Sequence, residues 1–437
     1  MNLKAEEVDT SEKRKAYKVG VVGCRQHGLT YASAFADAGF KVICVDSNPS
    51  VVKGISKGNV PLGNRDAETK LRQLVRAEQI VATSDLKQAV IESDVVLLAV
   101  SPKVSIKKTL DYTEVEGISK QVGATLQSGS LVVYVGVATF GLTGGLVRET
   151  LENMSGLKVG ENFGLAYNAI QNVKNLGDQE LIVAADDKAS LNAASIVFGS
   201  ITKREVKKIL GLKMVELATL FAAVKRDTEV ALANELAIFC ENAGVDYSEI
   251  LALLNGEGTS PTISEEENRK ETYMLLESAE NLNIKLRLPT LARQINEDMI
   301  RHATNLVHDA MRNNAKTLRR ARIAFLGAIK SGSAVAAFME LLETKGAKVN
   351  VYDPQSSLNK EEESTQKMKH TLNETVEDAD CLVVLGEQEV KRLNLKKLNA
   401  LMRSPAALID LAGSVEPRKA EEAGFTYRGL GRGAWKK

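Results

Sequence analysis

The stretch Val21-Val22-Gly23-Cys24-Arg25-Gln26-His27-Gly28 decides how the N-terminal part of the chain folds. The residues before it, from Tyr17, are β-rich, and residues 29–38 after it have helical character and stop at Gly39. Residues 41–45 are a second apolar strand, closed by Asp46. A strand, a glycine turn, a helix and a strand in this order predict a parallel sheet with a right-handed crossover.

The glycine turn has the spacing of a phosphate-binding loop, with one exception. In a dinucleotide-binding fold the first glycine makes the tight turn, the second admits the pyrophosphate and the third lets the helix pack on the strand. Gly23 and Gly28 hold the first and third places, but Arg25 holds the second. Arg25 could crowd the cofactor, or its guanidinium could pair with phosphate in bidentate fashion. A Rossmann-type sheet that holds no ligand is the third alternative.

Two residues near the loop bear on the choice of cofactor. Asp46 lies 18 residues beyond Gly28. Its carboxylate would accept hydrogen bonds from ribose hydroxyls and repel a 2′-phosphate, so NAD is favoured over NADP. His27 could contact phosphate, or it could be a histidine on the surface of the loop.

The rest of the chain divides into a second part of this α/β half and a helical middle. Residues 94–100 and 130–135 are continuous apolar runs, typical of strands buried on both faces, and residues 181–184 close the half. Leu212–Ala243 contains neither glycine nor proline, which predicts a helix roughly 48 Å long with Gly244 as its C-cap. Pro289 opens another helical stretch that runs toward Arg319.

A weak internal repeat marks the C-terminal half. Residues 321–327 (ARIAFLG) again have the pattern of a strand and a glycine, and residues 348–353 (KVNVYD) resemble residues 41–46 (KVICVD). Two more strands are predicted at residues 381–385 and 407–411. The predicted fold class is α/β, with an N-terminal Rossmann-type parallel sheet, a central all-helical region and a C-terminal Rossmann-like domain. The predicted boundaries are 1–16 for a flexible tail, then 17–204, 205–305 and 306–437.

Composition excludes several classes of protein. The 437 residues include 57 Lys and Arg against 56 Asp and Glu, and a formal net charge of +1 gives no pull toward nucleic acid or membranes. The apolar runs are far shorter than the roughly 20 residues of a membrane helix. Four scattered cysteines form no CxxC pair, so we expect no disulfide framework, no zinc site and a reducing cytoplasm. His302 and His308 lie six residues apart on one predicted helix, which favours exposed side chains over a metal pair.

Taken together, the chain resembles the UDP-glucose/GDP-mannose (nucleotide-sugar) dehydrogenase family over about residues 17–437. The stretches that carry the resemblance are residues 21–49, 82–100, 129–143, 157–167, 225–246, 291–299, 345–354 and 421–433. The resemblance implies an NAD-binding domain, a helical centre that forms a homodimer, here through Leu212–Ala243, and a C-terminal domain that binds the nucleotide of a UDP-sugar.

The resemblance also implies a reaction. Family members oxidise the sugar C6 alcohol to a carboxylate in two NAD-dependent steps. A cysteine thiolate traps the aldehyde. A lysine and an asparagine, one helical turn apart, hold the oxyanion. A threonine and a glutamate position water for thioester hydrolysis.

This sequence departs from the family at every one of those places. The catalytic positions are occupied by Val137 (threonine), Ile170 (glutamate), Thr219 (lysine), Ala223 (asparagine) and Glu267 (cysteine). No cysteine occurs between Cys240 and Cys381, although Pro261 and Lys270 are retained near the cysteine place. In the C-terminal domain the arginine of the family's aspartate-glycine-arginine-asparagine stretch is missing from residues 410–413.

Other candidates have plain structural interpretations beside the functional ones. Thr83 stands where the family touches the cofactor, but this place also caps a helix. Lys270 is by default an exposed helix lysine, and Glu265–Glu267 are by default a solvated loop or helix start. Residues 429–433 match the family's closing strand and could line a nucleotide pocket. The predicted cofactor-binding residues are Gly23, Arg25, His27, Gly28, Asp46, Thr83 and Val100.

Two functions stay open on the sequence. The first is an NAD-dependent oxidoreductase that acts on the CH–OH group of a sugar nucleotide, with altered chemistry or substrate. The second is a catalytically silent paralogue that binds NAD(H) or a nucleotide-linked ligand and acts as a sensor or scaffold.

Overall fold

The computed structural model describes residues 5–60, 65–105, 107–169, 173–263, 269–327, 333–353, 368–369, 371–386 and 393–433. The chain forms two compact units, one of Met1–Ala223 with Tyr273–Lys285 and one of Val224–Thr272 with Leu286–Lys437. The first boundary falls inside a single long helix, so each unit contains part of the helical middle.

The first unit is built on a large, mostly parallel sheet. Its strands are β1 Lys18–Val22, β2 Lys41–Val45, β3 Ile80–Thr83, β4 Val95–Leu98, β5 Lys103–Val104, β6 Leu110–Asp111, β7 Leu131–Tyr134, β8 Gly164–Ala169, β9 Leu181–Ala185 and β10 Val206–Leu210. Eight of them form one sheet in the order β10-β9-β8-β7-β4-β1-β2-β3, and β5 pairs with β6 in a separate hairpin. Every pair in the large sheet is parallel except β8 with β9.

Helices cover both faces of this sheet. They are α1 Ser11–Arg14, α2 Gln26–Asp37, α3 Pro49–Ser56, α4 Arg65–Arg76, α5 Leu86–Ile91, α6 Thr113–Gly123, α7 Arg148–Ser155 and α8 Lys188–Gly199. Residues along each central strand alternate between two hydrophobic cores: Val95 and Leu97 of β4 face one, while Val96 and Leu98 face the other. Burial on both faces explains why these strands are continuous apolar runs in the sequence.

The sequence predicted β1, β2, β4, β7 and β9 but missed β8 and β10. The apolar character of β10 (VKKIL) is broken by two exposed lysines, because this strand lies at the edge of the sheet. The segment predicted as a tail contains α1, and Val8 within it is buried in the core. The side chain of Arg14 donates to the carbonyl of Ala38 at 3.0 Å.

The second unit contains a smaller, fully parallel sheet. Its strands are β11 Arg322–Leu326, β12 Lys348–Tyr352, β13 Cys381–Val384, β14 Ala406–Asp410 and β15 Phe425–Gly429, in the order β12-β11-β13-β14-β15. Apart from the helical middle, the described helices of this unit are α13 Ala334–Thr344, α14 Leu372–Val376, α15 Leu395–Leu401 and α16 Pro417–Glu422. The predicted second α/β half is therefore confirmed.

The helical middle contains α9 Leu212–Ala243, α10 Tyr247–Leu253, α11 Arg269–Asn281 and α12 Arg287–Asn313. The extent of α9 and the left-handed Gly244 after it, at φ +76, are as predicted. The predicted end of the next helix at Arg319 is wrong, because Ala315 adopts a left-handed conformation at φ +54 that terminates α12 at Asn313. Among the helices that the structure describes, none combines the length and the apolar character that a membrane crossing demands.

A buried polar network joins α9 to α12 in the second unit. The Asp227 carboxylate accepts hydrogen bonds from Arg293 Nη1 at 2.9 Å, Thr272 Oγ1 at 2.9 Å and Asn296 Nδ2 at 2.8 Å. Asp227 and Arg293 are both buried. A buried carboxylate with three donors is stable where an unpaired one is not, so this network fixes how the two helices meet.

Candidate functional site

The glycine loop lies at the carboxyl edge of the first sheet, where the strand order reverses between β1 and β4. Ligands of open α/β sheets bind in the crevice at this reversal. Gly23 has φ +93, and a Cβ built on it would lie 2.8 Å from the Ala99 carbonyl oxygen. Its N–H donates to Val45 O at 2.9 Å. Only glycine satisfies this turn, because it needs both the positive φ and the missing side chain.

Gly28 brings α2 onto the turn. A Cβ on this residue would stand 2.1 Å from the Gly23 carbonyl oxygen, so no other residue fits without moving the backbone. The start of α2 at Gln26 is thereby held against the end of β1. A helix N-terminus at this place presents free N–H groups and positive dipole charge to an anion.

Asp46 stands at the end of β2, beside the loop. Its Oδ2 accepts from the Cys24 N–H at 3.1 Å and its Oδ1 accepts from the Asn48 N–H at 2.9 Å. An ionised carboxylate has about four acceptor positions, so roughly two stay available to ribose hydroxyls. The spacing from Gly28 therefore does place an acid where the sequence analysis expects one.

The other predicted cofactor-binding residues also lie at this edge. Asp46 N–H donates to Thr83 O at 3.3 Å, and Val100 packs beneath the loop, 2.9 Å from a Cβ built on Gly23. Thr83 accepts the Asp85 N–H at 3.0 Å, and it is Asp85 that caps α5.

Within the glycine loop, the side chains of Arg25 and His27 are exposed. Arg25 has an ordinary negative φ of −82°, so the loop accommodates a side chain in the second place without backbone strain.

A second group of polar side chains follows β4 and β7 along the same edge. The Val137 N–H donates to Ser101 Oγ at 2.8 Å, which ties the loops after these two strands together. The Tyr112 hydroxyl, just before α6, lies 3.4 Å from Thr139 Oγ1 and donates to Glu277 Oε2 at 2.8 Å. Burial, together with the Glu277 carboxylate, raises the pKa of Tyr112 to about 12.

The first turns of α9 are attached to the loop that follows β7. Glu216 is fully buried, and its carboxylate accepts from the Gly141 N–H at 2.6 Å and the Thr143 N–H at 2.9 Å. Burial raises the pKa of Glu216, although the two N–H donors oppose the shift. One turn further, Thr219 Oγ1 donates to Val215 O at 2.9 Å, and Ala223 is buried.

The remaining predicted residues separate into three groups. Ile170 and Glu267, like Glu265 and Glu266, lie outside the described residues. Lys270 is exposed on the first turn of α11. All four cysteines are free and buried, and burial raises the pKa of the Cys381 thiol well above its usual range and that of Cys240 as well.

The two histidines of α12 differ in exposure. His308 is exposed, as predicted. The prediction of an exposed His302 is wrong, because its Nε2 lies 3.0 Å from the buried Glu241, which also accepts the Gly431 N–H at 2.8 Å. Within the described part of the chain, no group of three or more His, Cys, Asp or Glu could hold a metal ion.

In the second unit, strand order reverses between β11 and β13, which marks a second ligand crevice. Asp410 at the end of β14 is buried and accepts the Val415 N–H at 2.7 Å and the Tyr427 hydroxyl at 3.3 Å. The Gly431 carbonyl accepts the Tyr247 N–H at 2.8 Å, which ties the segment 429–433 to the start of α10.

The fold and the glycine loop define a dinucleotide-binding protein of the dehydrogenase type. Three models of one family match the chain: the NAD binding domain over residues 17–172, the central domain over 213–298 and the UDP binding domain over 331–417. The chain belongs to the UDP-glucose/GDP-mannose dehydrogenase family.

Relatives match over nearly the whole chain. The UDP-N-acetyl-D-mannosamine dehydrogenase of Pyrococcus horikoshii is 26% identical over 442 residues, which cover 95% of this chain and 99% of the relative. The UDP-glucose 6-dehydrogenase of Rhizobium meliloti is 25% identical over 454 residues, with 95% and 99% covered. The solved structure of the Pyrococcus horikoshii UDP-D-ManNAc dehydrogenase superposes with a TM-score of 0.83 at 25% identity, covering 95% of this chain and 100% of that one.

The cofactor of this family's first domain is NAD, and the residues present fit it. Gly23 and Gly28 permit the tight turn and the close approach of α2, the start of α2 lies at that turn, and Asp46 retains acceptor positions. These are the features that a pyrophosphate and a ribose with a free 2′-hydroxyl require.

The sequence did not predict the polar side chains that meet beyond β4 and β7. Tyr112 and Glu277 are separated by 165 residues, and neither belongs to a recognisable motif. The two backbone donors of Glu216 could not be predicted either, since no local pattern links a helix start to a loop 73 and 75 residues earlier.

We expect Glu216→Gln to lower the free energy of unfolding by about 1–3 kcal/mol. The amide has one acceptor oxygen instead of two, so either Gly141 or Thr143 keeps a buried N–H without a partner. Urea-induced unfolding measures the loss, with Glu149→Gln on the exposed face of α7 as the control, for which we expect a change within about 0.5 kcal/mol.

The pH dependence of this loss follows from the raised pKa of Glu216. Between the ordinary and the raised value the folded state holds a proton that the unfolded state has released, so wild-type stability falls as pH rises through this window. The difference between wild type and Glu216→Gln should therefore be larger at the acidic end of the window than at neutral pH. An unchanged urea midpoint throughout would show that the two N–H groups find other acceptors.

Proposed function

We propose that this protein binds NAD and a UDP-sugar and does not complete the four-electron oxidation of an alcohol to a carboxylate. NAD, when bound, supplies a hydride acceptor. The match to the family's UDP binding domain and the UDP-sugar dehydrogenases among the relatives support a sugar nucleotide as the second ligand. Any turnover then stops after two electrons, at an aldehyde or ketone.

This proposal rests on the side chains that α9 presents at positions 219 and 223, which are Thr219 and Ala223. By the family resemblance a lysine and an asparagine would stand here and hold the oxyanion. Instead Thr219 Oγ1 donates to its own helix at 2.9 Å, and Ala223 is a buried methyl group. Removing one oxyanion donor in other enzymes costs on the order of 3 kcal/mol of barrier, and here both are gone.

The missing thiol points the same way. Trapping the aldehyde as a thioester needs an accessible cysteine of suitable pKa. The four cysteines of the chain are buried, and none occurs between Cys240 and Cys381, where the family cysteine would lie. The second oxidation therefore lacks its covalent intermediate.

A non-catalytic role is the second candidate, since the same helix face supports it. A protein that retains the cofactor frame but no oxyanion donors would act as a sensor or scaffold that responds to NAD(H) or to a UDP-sugar. Four free, buried cysteines suit the reducing cytoplasm in which either role would be performed.

We expect NAD and UDP-sugars each to raise the melting temperature, because ligands that bind the folded state stabilise it by mass action. The experiment combines thermal shifts against NAD, NADP, UDP, UDP-glucose and UDP-N-acetylmannosamine with measurement of NADH and uronic acid formed. NADP should give the smaller shift, because Asp46 repels its 2′-phosphate. We expect at most one NADH per sugar and no uronic acid.

Two results would contradict the proposal. Two NADH per sugar with a uronic acid product would show that the four-electron reaction survives. A melting temperature that neither NAD nor any UDP compound raises would show that the protein binds neither ligand. If the protein binds both NAD and a UDP-sugar but forms no NADH, the non-catalytic role as a sensor or scaffold is favoured.

We propose further that Arg25 holds the pyrophosphate of NAD. Its side chain is exposed at the start of α2, and a guanidinium matches phosphate geometry in bidentate fashion. Arg25→Ala should weaken NAD binding about tenfold and reduce its salt dependence, because one charge-assisted contact is lost. Calorimetric titration measures both, with Lys41→Ala, an exposed cation at the opposite end of β2, as the control. Tighter NAD binding by Arg25→Ala would show that the arginine obstructs the site.

We also propose a homodimer formed through α9. Large apolar side chains on this helix are exposed at helical spacing, among them Leu232 at 58%, Leu236 at 44% and Phe239 at 70%. Spacings of four and three residues place them on one face of the helix. A contiguous exposed apolar surface of this kind marks a protein interface in a water-soluble protein.

Phe239→Glu should convert the dimer to a monomer, because an unpaired charge would then be buried in the interface. Light scattering after gel filtration measures the mass, and Phe239→Leu, which keeps the position apolar, is the control. A wild-type mass of one chain, or a Phe239→Glu variant that stays dimeric, would place the interface elsewhere.

A further inference from the structure

Three side chains that the sequence patterns do not single out meet at the carboxyl edge of the first sheet. Tyr112 precedes α6, Thr139 follows β7 and Glu277 lies on α11. The Tyr112 hydroxyl donates to Glu277 Oε2 at 2.8 Å and lies 3.4 Å from Thr139 Oγ1. We call these three residues the tyrosine cluster.

The tyrosine cluster is fixed by a second contact between the same elements. The Lys108 ammonium, in the hairpin formed by β5 and β6, lies 5.7 Å from the centroid of the Tyr273 ring on α11. Tyr273 precedes Glu277 by one helical turn, and Lys108 is four residues before Tyr112. Both contacts hold α11 against the segment that leads into α6, so the short distance between Tyr112 and Glu277 does not depend on one hydrogen bond alone.

The cluster lies on the half of the sheet that would receive the nicotinamide. Asp46 directly follows β2, and an acid at this place binds the ribose of the adenosine half of NAD. That ribose would therefore lie over β1, β2 and β3. The other mononucleotide half is then formed by β4, β7 and β8, beyond the reversal of strand order. Thr139 follows β7, and the loop containing it is tied to the loop after β4 through Val137 and Ser101.

The environment gives the two titratable groups different roles. Tyr112 and Glu277 are both partly buried, so a ligand can reach them while bulk water only partly screens them. Tyr112 keeps its proton at neutral pH as any tyrosine does, and burial with the nearby carboxylate raises its pKa further, to about 12. That proton is directed at Glu277. A hydroxyl oxygen has two lone pairs, so Tyr112 Oη retains acceptor capacity beside Thr139 and can accept another proton as its own departs.

We propose that Tyr112 and Glu277 form a proton relay that serves a two-electron oxidation of a UDP-sugar hydroxyl, an inference that rests on the proposed function. The substrate hydroxyl gives its proton to Tyr112 Oη as Tyr112 passes its own proton to Glu277 Oε2. The hydride from the same carbon goes to NAD, which leaves a carbonyl, NADH and a neutral Glu277 that returns its proton to water. The relay replaces the general base and needs neither a thiol nor a lysine.

The test compares Tyr112→Phe and Glu277→Gln with two matched controls. Tyr17→Phe removes a phenol hydroxyl just before β1, at the opposite edge of the sheet, and Glu280→Gln alters an exposed carboxylate one turn further along α11. Thermal unfolding of each variant without ligand shows whether it folds. Gln at position 277 retains an acceptor for the Tyr112 hydroxyl, so this variant tests proton acceptance without removing the hydrogen bond.

Two readouts separate a relay from a structural contact. With NAD and UDP-glucose or UDP-N-acetylmannosamine, both cluster variants should form NADH at least about 100-fold more slowly than wild type, whereas the controls should not. Without turnover, calorimetric titration of UDP and of the two UDP-sugars should show that Tyr112→Phe loses the extra affinity that the sugar contributes. Its affinity for UDP and for NAD should be unchanged, because the proposed relay acts on the sugar hydroxyl alone.

The outcomes distinguish this inference from the proposed function. Wild-type protein that binds NAD and a UDP-sugar but forms no NADH overturns the relay and leaves the binding function standing. Cluster variants with wild-type rates, or controls that lose as much as the cluster variants, also overturn it. Failure of wild type to bind NAD or any UDP-sugar overturns the proposed function and the relay together.

Discussion

The close approach of α2 to the end of β1 is the constraint on which the first unit depends. A Cβ at Gly28 would meet the Gly23 carbonyl at 2.1 Å, and one at Gly23 would meet Ala99 at 2.8 Å. Because neither position has room for a side chain, helix, turn and neighbouring strand are locked into one arrangement. The same arrangement brings the Cys24 N–H within reach of Asp46 and packs Val100 beneath the loop. Phosphate and ribose recognition are thus consequences of packing.

A second constraint acts where α9 begins. The buried side chain of Glu216 accepts hydrogen bonds from two backbone N–H groups of the loop after β7, so a shift of the helix relative to the loop would leave buried polar groups without partners. The loop in turn carries Thr139 and lies beside Ser101. The geometry of the tyrosine cluster therefore rests partly on a residue that takes no part in proton transfer.

Local features of the chain could be predicted and long-range pairings could not. The roles of Gly23, Gly28 and Asp46 follow from one strand-turn-helix-strand unit, in which each position is constrained by near neighbours in the sequence. The helical spacing correctly separated His302 from His308 but gave no sign that Glu241, 61 residues away, would bury one of them. Tyr112 and Glu277 are a similar case, since only the packing of α11 against the segment before α6 brings their side chains together.

The loss of oxyanion donors that we propose for α9 need not weaken the fold, so a dinucleotide frame could persist without that chemistry. A lysine and an amide on a partly buried helix face cost desolvation energy unless a substrate or a partner satisfies them. Thr219 satisfies its hydroxyl within the helix, and Ala223 adds only a buried methyl group. Active-site residues are commonly held at a cost to stability, so their loss relieves strain rather than creating it. Selection on ligand binding alone would then preserve the glycine loop and Asp46 while leaving the face of α9 free to change.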